Sequence, residues 1–349
     1  MDAAVPSQPL VVSQGDPAGI GPEITLKAWS ALRSGGPPFA VIGGPDLYRR
    51  TGERLGLSVP VRIIERLADA PAVFAEALPV LPTHAPLPDP VHPGHSDPAH
   101  GASVIEAIER GVAACRRGAA SAIVTIPITK AALYDTGFDF PGHTEFLAHL
   151  AVAGTEHAPP LPVMMLASPM LRVVPLTIHV PLSAVPPLVT AERIRETATV
   201  MARALHLDFG IADPRIAVAG LNPHAGEAGR LGTEDMDRIA PAVAALRAEG
   251  IRATGPHPAD TLFHAPARAS YDAALCMYHD QALIPIKALD FDRGVNVTLG
   301  LPFVRTSPDH GTAYDIAGQG VARADNLIEA LHMAAALGAR RAAAASLGP

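Results

Sequence analysis

Short runs of apolar, often β-branched residues alternate along this chain with longer segments of helical periodicity, and this alternation limits the folds available to it. The short runs are "PLVVSQ", "PFAVIGG", "SAIVTIPI", "VVPLTIHV", "RIAVAGLNP" and "AALCMYHD". They lack polar alternation, which predicts strands that are covered on both faces. Between them lie segments such as 101–118, where Val104, Ile108 and Val112 recur on one helical face. The pattern predicts an α/β fold.

Size and composition narrow the class further. At 349 residues the chain is longer than most single domains, so two lobes or one large α/β unit are expected. Hydrophobic residues make up 48% and charged residues 17%, which excludes a disordered chain. A net charge of −7 and an aromatic content of 4% argue against a nucleic-acid-binding surface. A compact soluble protein without a nucleic-acid partner is therefore expected.

Cysteine content and the N-terminal residues indicate a compartment. The only cysteines are Cys115 and Cys276, too few for a disulfide framework and without CxxC spacing for a metal knuckle. The N-terminus lacks the basic and apolar regions of a signal peptide, and no apolar run approaches the roughly 18 residues that a membrane span needs. We therefore expect a cytoplasmic protein with no membrane association.

Polar clusters follow several of the predicted strands. They are "PITK" (127–130), "IHVPL" (178–182), "NPHAGE" (222–227) and "YHDQ" (278–281). Ligands of open α/β sheets bind at the carboxyl ends of strands, where the loops converge. The four clusters therefore predict one cleft.

Three of the 15 histidines, His179, His224 and His279, stand in or directly after these strands. Neutral imidazoles in such places are good metal ligands, and three of them leave coordination positions open, as in a catalytic site. The spacing matches neither a zinc finger nor an HExxH motif. A hydrogen-bonded structural histidine at a strand end is the alternative for each.

Five further residues are candidates for binding an anionic ligand. His143 and Thr144 follow a Pro-Gly turn in "PGHTEF", where Thr144 is either a helix N-cap or a donor to an anion at the helix N-terminus. Lys287, Asn296 and Arg305 lie in weakly polar surroundings. Buried cations need a partner, which a substrate phosphate or carboxylate would supply; an internal salt bridge is the alternative.

Two glycine-rich stretches remain. Residues 14–24, "QGDPAGIGPEI", form a strand-turn-helix junction with Pro22 where the helix begins. The stretch lacks GxGxxG, so no Rossmann fingerprint is present. Residues 309–320, "DHGTAYDIAGQG", offer His310, Thr312 and Asp315 to the edges of a sugar or a base.

Six ordered motifs resemble the 4-hydroxythreonine-4-phosphate dehydrogenase (PdxA) family of vitamin B6 biosynthesis. They are "GDPAGIGPE", "GHTEF", "LNPHAGEAGRLGTE", "GPHPADTLF", "MYHDQ" and "GVNVTLGLPFVRTSPDHGTA", between about residues 10 and 335. The first and last also resemble segments of isopropylmalate and isocitrate dehydrogenases. The resemblance implies their two-lobed fold with the active site in the interdomain cleft. It further implies a discontinuous first domain, 1–130 plus 300–349, and a central domain, 131–299, that carries the metal ligands and the dimer interface.

The resemblance also implies functional residues at matching positions. One divalent cation, Zn, Mg or Co, would be bound by His179, His224 and His279, contributed from both subunits of a homodimer. The substrate contacts fall on His143, Thr144, Lys287, Asn296 and Arg305. The proton acceptor is Asp260 or Lys287, and the adenosine side of the cofactor would contact His310, Gly311, Thr312 and Asp315.

The segment "MYHDQALIPIK" (277–287) combines several of these expectations. His279 would ligate the metal and Lys287 would hold the substrate. Asp280 and Gln281 are expected to support the ligand through hydrogen bonds or to be structural.

The implied reaction is oxidation of the C3 hydroxyl of 4-(phosphooxy)-L-threonine by NAD or NADP, with loss of carbon dioxide to give 3-amino-2-oxopropyl phosphate. Relatives of the family act on 4-phospho-D-threonate, 4-phospho-D-erythronate or a dihydrodiol dicarboxylate, and these remain alternatives. The segment around 154–162, with "APPLP", is longer than the family pattern and bears on specificity. A three-histidine metal hydrolase and a noncatalytic phosphate-binding protein are more distant alternatives.

Overall fold

The structure is a computed structural model that describes residues 8–129, 133, 138, 140 and 142–346. The chain divides into two compact units, the first formed by Met1–Pro162 with Leu301–Pro349 and the second by Val163–Gly300. The division falls after residue 162, where the sequence suggested 130. The dimer and metal-binding roles given to the central domain stay predictions.

Strands and helices are numbered along the chain. The strands are β1 (Leu10–Ser13), β2 (Phe39–Ile42), β3 (Val61–Ile63), β4 (Leu78–Leu81), β5 (Ile123–Thr125), β6 (Val163–Ala167), β7 (Arg172–Pro175), β8 (Arg215–Ala219), β9 (Arg252–His257), β10 (Ala273–Cys276), β11 (Val295–Leu299) and β12 (Arg305–Pro308). The α-helices are α1 (Gly21–Leu32), α2 (Pro45–Leu55), α3 (Ala70–Phe74), α4 (Gly101–Arg116), α5 (His143–Ala151), α6 (Val185–Leu188), α7 (Ala191–Leu207), α8 (Ala240–Ala248), α9 (Ala259–Leu262), α10 (Ala265–Arg268), α11 (His279–Asp290) and α12 (Asp325–Ser346). The predicted α/β class is confirmed.

The first unit contains a parallel sheet in the order β3-β4-β2-β1-β5-β12. Every residue of β1 and β2 is buried, as expected for strands covered on both faces. The core of this unit includes Val11, Ile42, Ile108 and Phe146, so α4 and α5 pack their apolar faces on the sheet. In this sheet, β2 lies on one side of β1 and β5 lies on the other.

The second unit contains the order β11-β6-β7-β10-β8-β9. Its first three strands pair antiparallel, and β7, β10, β8 and β9 run parallel. Its core includes Leu166, Val173, Ala217, Cys276 and Ile286. This arrangement brings the carboxyl ends of β7, β10 and β8 to one edge.

Helix boundaries follow local sequence. Pro22 lies in the first turn of α1, where its missing N–H leaves no hydrogen bond unmade. Helix α2 ends at Leu55 and is capped by Gly56, which has the left-handed conformation. The predicted helix at 101–118 is α4. Among the helices that the structure describes, none has the length and apolar composition needed to cross a membrane.

Candidate active site

The three histidines selected from the sequence follow three neighbouring parallel strands of the second unit. His179 comes shortly after β7, His279 directly begins α11 after β10, and His224 follows β8. These strands lie side by side as β7-β10-β8. Loops at the carboxyl ends of parallel strands are the usual ligand-binding positions of α/β sheets. All three histidines therefore follow the carboxyl ends of strands at the same edge of this sheet.

His179 and His279 lie together at this edge. Their ring centroids are 5.8 Å apart and the ring planes are tilted by 42°. The segments that carry them are joined by the Thr177 hydroxyl, which donates to the Met277 carbonyl at 2.8 Å. His179 has a φ of 50°, a left-handed conformation that few non-glycine residues adopt.

A carboxylate orients the ring of His279. Its Nδ1 lies 2.7 Å from Oδ1 of Asp280. An Nδ1–H donated to this carboxylate leaves Nε2 with its lone pair, as is typical of metal-ligating histidines. The carboxylate in "YHDQ" thus fixes which nitrogen of His279 is available.

His224 is exposed on the turn that follows β8. Within residues 8–129, 142–346 and the three single positions described between them, no three His, Cys, Asp or Glu side chains are arranged to hold a metal ion. The described part of one chain thus brings His179 and His279 together without a third ligand of this kind. The role of His224 stays a prediction.

The turn that carries His224 has an unusual backbone. His224, Ala225, Gly226, Glu227 and Ala228 have φ values of 54°, 51°, 80°, 44° and 55°, so they form a left-handed helical turn. Each non-glycine residue in this conformation costs roughly 1–2 kcal/mol. Strain of this kind persists only where the surroundings fix the backbone, and it is concentrated at functional sites.

The other predicted residues of the second unit lie on three different elements. Asp260 is in the short helix α9 and is exposed. Lys287 is in the last turn of α11, with Nζ 5.8 Å from the ring centroid of Phe291. Asn296 is in β11, paired with Leu166 of β6. Their roles stay predictions.

In the first unit, Arg305 is held in the core by a strand-end hydroxyl. Only 4% of Arg305 is exposed, and its Nε and Nη2 donate to Oγ1 of Thr125 at 3.1 and 2.6 Å. Burial lowers the pKa of the guanidinium to about 10, so it remains charged near neutral pH. A buried cation held in this way suits the recognition of an anion.

His143 begins helix α5. Its Nε2 is buried and has no hydrogen-bond partner among the described residues. Burial, and to a smaller extent the positive charge of Arg305, lower the pKa of His143 to about 3. The imidazole is therefore neutral at physiological pH and can donate one hydrogen bond.

The N-cap alternative for Thr144 is wrong. The N-cap of α5 is Gly142, and Thr144 lies one residue inside the helix. Glycine before the helix leaves the N-terminal N–H groups without a side-chain cap, because no side-chain hydrogen bond is made at this position. A role for Thr144 in binding an anion at this helix end stays a prediction.

The loop at 309–320 is fastened to the strand ends of the first unit. The carbonyl of Thr312 accepts from the Ile20 N–H at 3.0 Å, and Oγ1 of Thr312 lies 3.2 Å from Oγ1 of Thr129. The hydroxyl of Tyr314 donates to the Asp16 carboxylate and lies 2.7 Å from Oγ1 of Thr129. The loop is thus anchored at the carboxyl ends of β1 and β5, where the strand order switches direction.

A second anchor holds the end of this loop. Glu23 is 2% exposed and accepts from the N–H groups of Gly320 and Ala322 at 3.2 and 2.9 Å. Lys27 forms an ion pair with Glu23 at 2.8 Å, and its Nζ also donates to the backbone carbonyls of Gly320 and Ala322. His310 and Asp315, by comparison, are partly or fully exposed. The loop is preorganised, while its predicted cofactor contacts stay predictions.

A cavity of about 240 Å³ lies in the first unit at the carboxyl side of β1, β2 and β4. Gly19, Glu23, Arg50, Arg54 and Gly318 line it, together with a proline-rich wall from residues 82–93. The residues predicted to bind substrate are not among its walls. It borders the glycine-rich loop through Gly318.

Sequence reasoning missed several residues that hold these groups, among them Thr125, Tyr314 and Asp235. Thr125 is a lone hydroxyl inside the apolar run "SAIVTIPI", which is a usable signal. Tyr314 gave none. Neither did Asp235, whose buried carboxylate accepts from the N–H groups of Leu221 and Asn222 just before the His224 turn.

Comparison with known proteins gives consistent results. Residues 37–334 match the family described as "Pyridoxal phosphate biosynthetic protein PdxA". The chain is 56% identical over 335 residues to 4-hydroxythreonine-4-phosphate dehydrogenase of Caulobacter vibrioides, covering 96% of this chain and 99% of the relative. It is 58% identical over 336 residues to the enzyme of the same name from Methylorubrum populi, covering 96% of each.

A solved structure is similar along almost the whole chain. It is 4-hydroxythreonine-4-phosphate dehydrogenase from Klebsiella pneumoniae, with a TM-score of 0.83 and 38% sequence identity. The match covers 95% of this chain and 99% of that one. The similarity therefore includes both units.

Proposed function

The chain belongs to the family of the pyridoxal phosphate biosynthetic protein PdxA, and from this premise we propose that it oxidises 4-(phosphooxy)-L-threonine at C3 with NAD or NADP and then decarboxylates the product. It is an oxidoreductase of the 4-hydroxythreonine-4-phosphate dehydrogenase type that acts in pyridoxal phosphate biosynthesis. The observation that carries the assignment is the near-complete coverage of relatives at 56% and 58% identity.

The substrate carries a phosphate and a carboxylate, and the proposed contacts match these charges. Arg305 supplies a buried guanidinium fixed by Thr125. His143 supplies a neutral imidazole whose buried Nε2 is not used by the described residues. Lys287, Asn296 and Thr144 complete the proposed set. Positioning of this kind lowers the barrier by fixing the reacting groups before reaction.

The proposed reaction has two steps, oxidation at C3 and decarboxylation. The C3 hydrogen leaves with its electron pair while the C3 hydroxyl gives its proton to Asp260 or Lys287, which leaves a C3 ketone. The carboxylate then departs as carbon dioxide, its bonding electrons pass to C2, and C2 takes up a proton to give 3-amino-2-oxopropyl phosphate. The nicotinamide cofactor, when bound, accepts the hydride. The preorganised loop at 309–320 supports a cofactor site at His310, Gly311, Thr312 and Asp315.

A divalent cation fits the histidines in kind. His179 and His279 lie with ring centroids 5.8 Å apart, and Asp280 directs Nε2 of His279 to serve as the ligand. His224 would be the third ligand, which leaves open positions for substrate. Zn, Co and Mg are candidates, and nitrogen ligands favour the first two. When bound, such a cation supplies Lewis acidity that stabilises negative charge developing on substrate oxygens.

A homodimer is proposed to complete this site. Leu182, Ile284 and Phe291 of the second unit are 69%, 64% and 68% exposed and are close in sequence to the predicted ligands. Homodimer interfaces are more apolar than the rest of a protein surface and are enriched in aromatic side chains. Sedimentation of wild type and Phe291→Asp tests this, since the charged variant is expected to dissociate and to lose metal.

The decisive experiment measures formation of reduced nicotinamide from 4-(phosphooxy)-L-threonine, together with release of carbon dioxide. Wild type, chelator-treated wild type, His224→Ala and the exposed control His206→Ala are compared. The proposal expects turnover with wild type and His206→Ala only, and recovery of the chelated enzyme when a divalent cation is added.

Other outcomes separate the alternatives. Turnover of 4-phospho-D-threonate, 4-phospho-D-erythronate or a dihydrodiol dicarboxylate without turnover of the threonine phosphate would assign a sibling substrate. Hydrolysis that does not depend on nicotinamide would favour a metal hydrolase. Equal activity in His224→Ala and wild type would remove His224 from the site.

We also propose a cytoplasmic location, because both cysteines are free thiols, as is usual in a reducing compartment. Fractionation of cells that express the full chain tests this.

A further inference from the structure

The left-handed turn at 224–228 is tied to one buried carboxylate that the family resemblance did not single out. Asp235 is 1% exposed. Its Oδ1 accepts from the N–H of Leu221 at 2.8 Å, and its Oδ2 accepts from the backbone N–H and the side-chain Nδ2 of Asn222 at 3.1 and 2.9 Å. These two residues directly precede Pro223 and His224. The carboxylate therefore fixes the entry to the turn.

The backbone at Gly220 and Gly226 packs so closely against the segment 232–235 that no side chain fits there. A Cβ added at Gly220 would lie 2.7 Å from Oδ1 of Asp235, and one at Gly226 would lie 2.9 Å from the carbonyl of Gly232. Gly226 also has a φ of 80°. Glycine is thus required where the chain passes against Asp235 and its neighbours. The turn therefore packs directly against the segment that carries Asp235.

A second anchor joins this turn to the segment of His279. Nε2 of Gln281 donates to the carbonyl of Gly220 at 2.8 Å, and its Oε1 accepts from the N–H of Met277 at 2.6 Å. Gln281 is 8% exposed. The strand ends before His224 and before His279 therefore share one amide side chain.

We propose that Asp235 is a positioning residue for His224: its carboxylate holds the strained turn in the conformation that presents this imidazole. The inference rests on the proposed function, in which His224 binds a divalent cation. A strained turn relaxes when its anchor is removed, so the imidazole then has to be ordered at the moment of binding. Metal affinity, and not only activity, depends on Asp235.

The test uses the full-length, chelator-treated protein and Co²⁺ as the probe. Asparagine has nearly the same shape as aspartate, but one of the two acceptor oxygens is replaced by an NH₂ group. In Asp235→Asn this NH₂ group faces a backbone N–H that donates to the carboxylate in the wild type, so that hydrogen bond is lost. Asp237→Asn is the matched control, because Asp237 is an exposed carboxylate two residues away. Affinity is measured by competition with a chromophoric chelator, and hydrogen exchange reports on residues 221–231.

The expected result is a loss of Co²⁺ affinity of about 10- to 100-fold in Asp235→Asn, the usual effect of removing a group that orients a ligand. Hydrogen exchange should become faster at 221–231 and stay unchanged in α7. Asp237→Asn should match wild type in both measurements. Asn222→Ala removes the side-chain donor to Asp235, and with it a 2.9 Å bond to Glu234, but keeps both backbone N–H donors to Asp235; it should show a smaller loss in the same direction.

Unchanged Co²⁺ affinity in folded Asp235→Asn, or a loss of affinity without faster exchange at 221–231, would overturn the positioning role. If Asp235→Asn does not fold, wild-type affinity in Asn222→Ala overturns it equally. His224→Ala is the reference for the proposed function. Wild-type affinity in His224→Ala would overturn the metal assignment itself, whereas loss there with full binding in Asp235→Asn overturns only the inference about Asp235.

Discussion

The imidazoles of His179 and His279, 100 residues apart in the chain, lie with ring centroids 5.8 Å apart and planes tilted by 42°. The parallel pairing of β7 with β10 produces this contact, because Val174 pairs with Leu275 and both strands end at the same edge. The strand register, rather than a local motif, therefore sets the geometry of the pair.

Removal of either ring should weaken metal binding about as much as removal of both. Two ligands of one cation act as a unit, so the effects of His179→Ala and His279→Ala should be far from additive. The measurement is a double-mutant cycle on Co²⁺ affinity, with His206→Ala as an exposed control. Additive losses would show that the two rings do not share a cation.

Much of the fold could be predicted from local pattern. The runs "PLVVSQ", "PFAVIGG" and "RIAVAGLNP" contain β1, β2 and β8, because apolar, β-branched stretches of this length favour buried strands. Half of the twelve described strands were not predicted: β3, β4, β6, β9, β11 and β12. The last two, β11 and β12, are "VNVTL" and "RTSP". Their polar residues break the apolar pattern, and their positions depend on pairing with β6 and β5.

The candidate site was predictable only where chemistry was visible in the sequence. The three histidines stand out as polar residues at the ends of predicted strands, and Arg305 stands out as a cation in weakly polar surroundings. Asp235 does not, because the N–H groups that it accepts from lie 14 and 13 residues earlier, in Leu221 and Asn222. The left-handed turn at 224–228 also has no signal, since four of its five residues are not glycine.

Thr125→Val should destabilise the first unit and weaken substrate binding. The variant removes the oxygen that accepts from Nε and Nη2 of the buried Arg305. Loss of an acceptor for a buried charged donor costs about 1–3 kcal/mol. Chemical denaturation measures this change, and KM for the phosphorylated substrate should rise. Thr125→Ser keeps the hydroxyl and should restore both values; failure of serine to do so would point to the lost methyl group instead.

The depressed pKa of His143 should lower the free energy of unfolding as the pH falls. Burial depresses its folded-state pKa to about 3, against an ordinary value of 6.5, so below pH 6.5 the unfolded chain binds a proton that the folded chain does not. The free energy of unfolding should therefore decrease between about pH 6.5 and pH 3. In His143→Gln, which cannot titrate, this decrease should be smaller. An identical pH dependence in the two proteins would contradict the depressed pKa.

Ala228→Gly should stabilise the protein, although glycine in most positions is unfavourable. Ala228 has a φ of 55° and a ψ of 38°, in the left-handed region where the Cβ of an L-residue approaches the following carbonyl. Glycine removes this strain of roughly 1–2 kcal/mol but adds freedom to the unfolded chain, so the free energy of unfolding should rise by about 0.5–1 kcal/mol. Ala202→Gly, inside the regular helix α7, should instead lower it by about 1 kcal/mol. Denaturant titration of both variants measures the contrast. A loss of stability in Ala228→Gly comparable to that in Ala202→Gly would mean that the turn does not carry the strain its backbone angles imply.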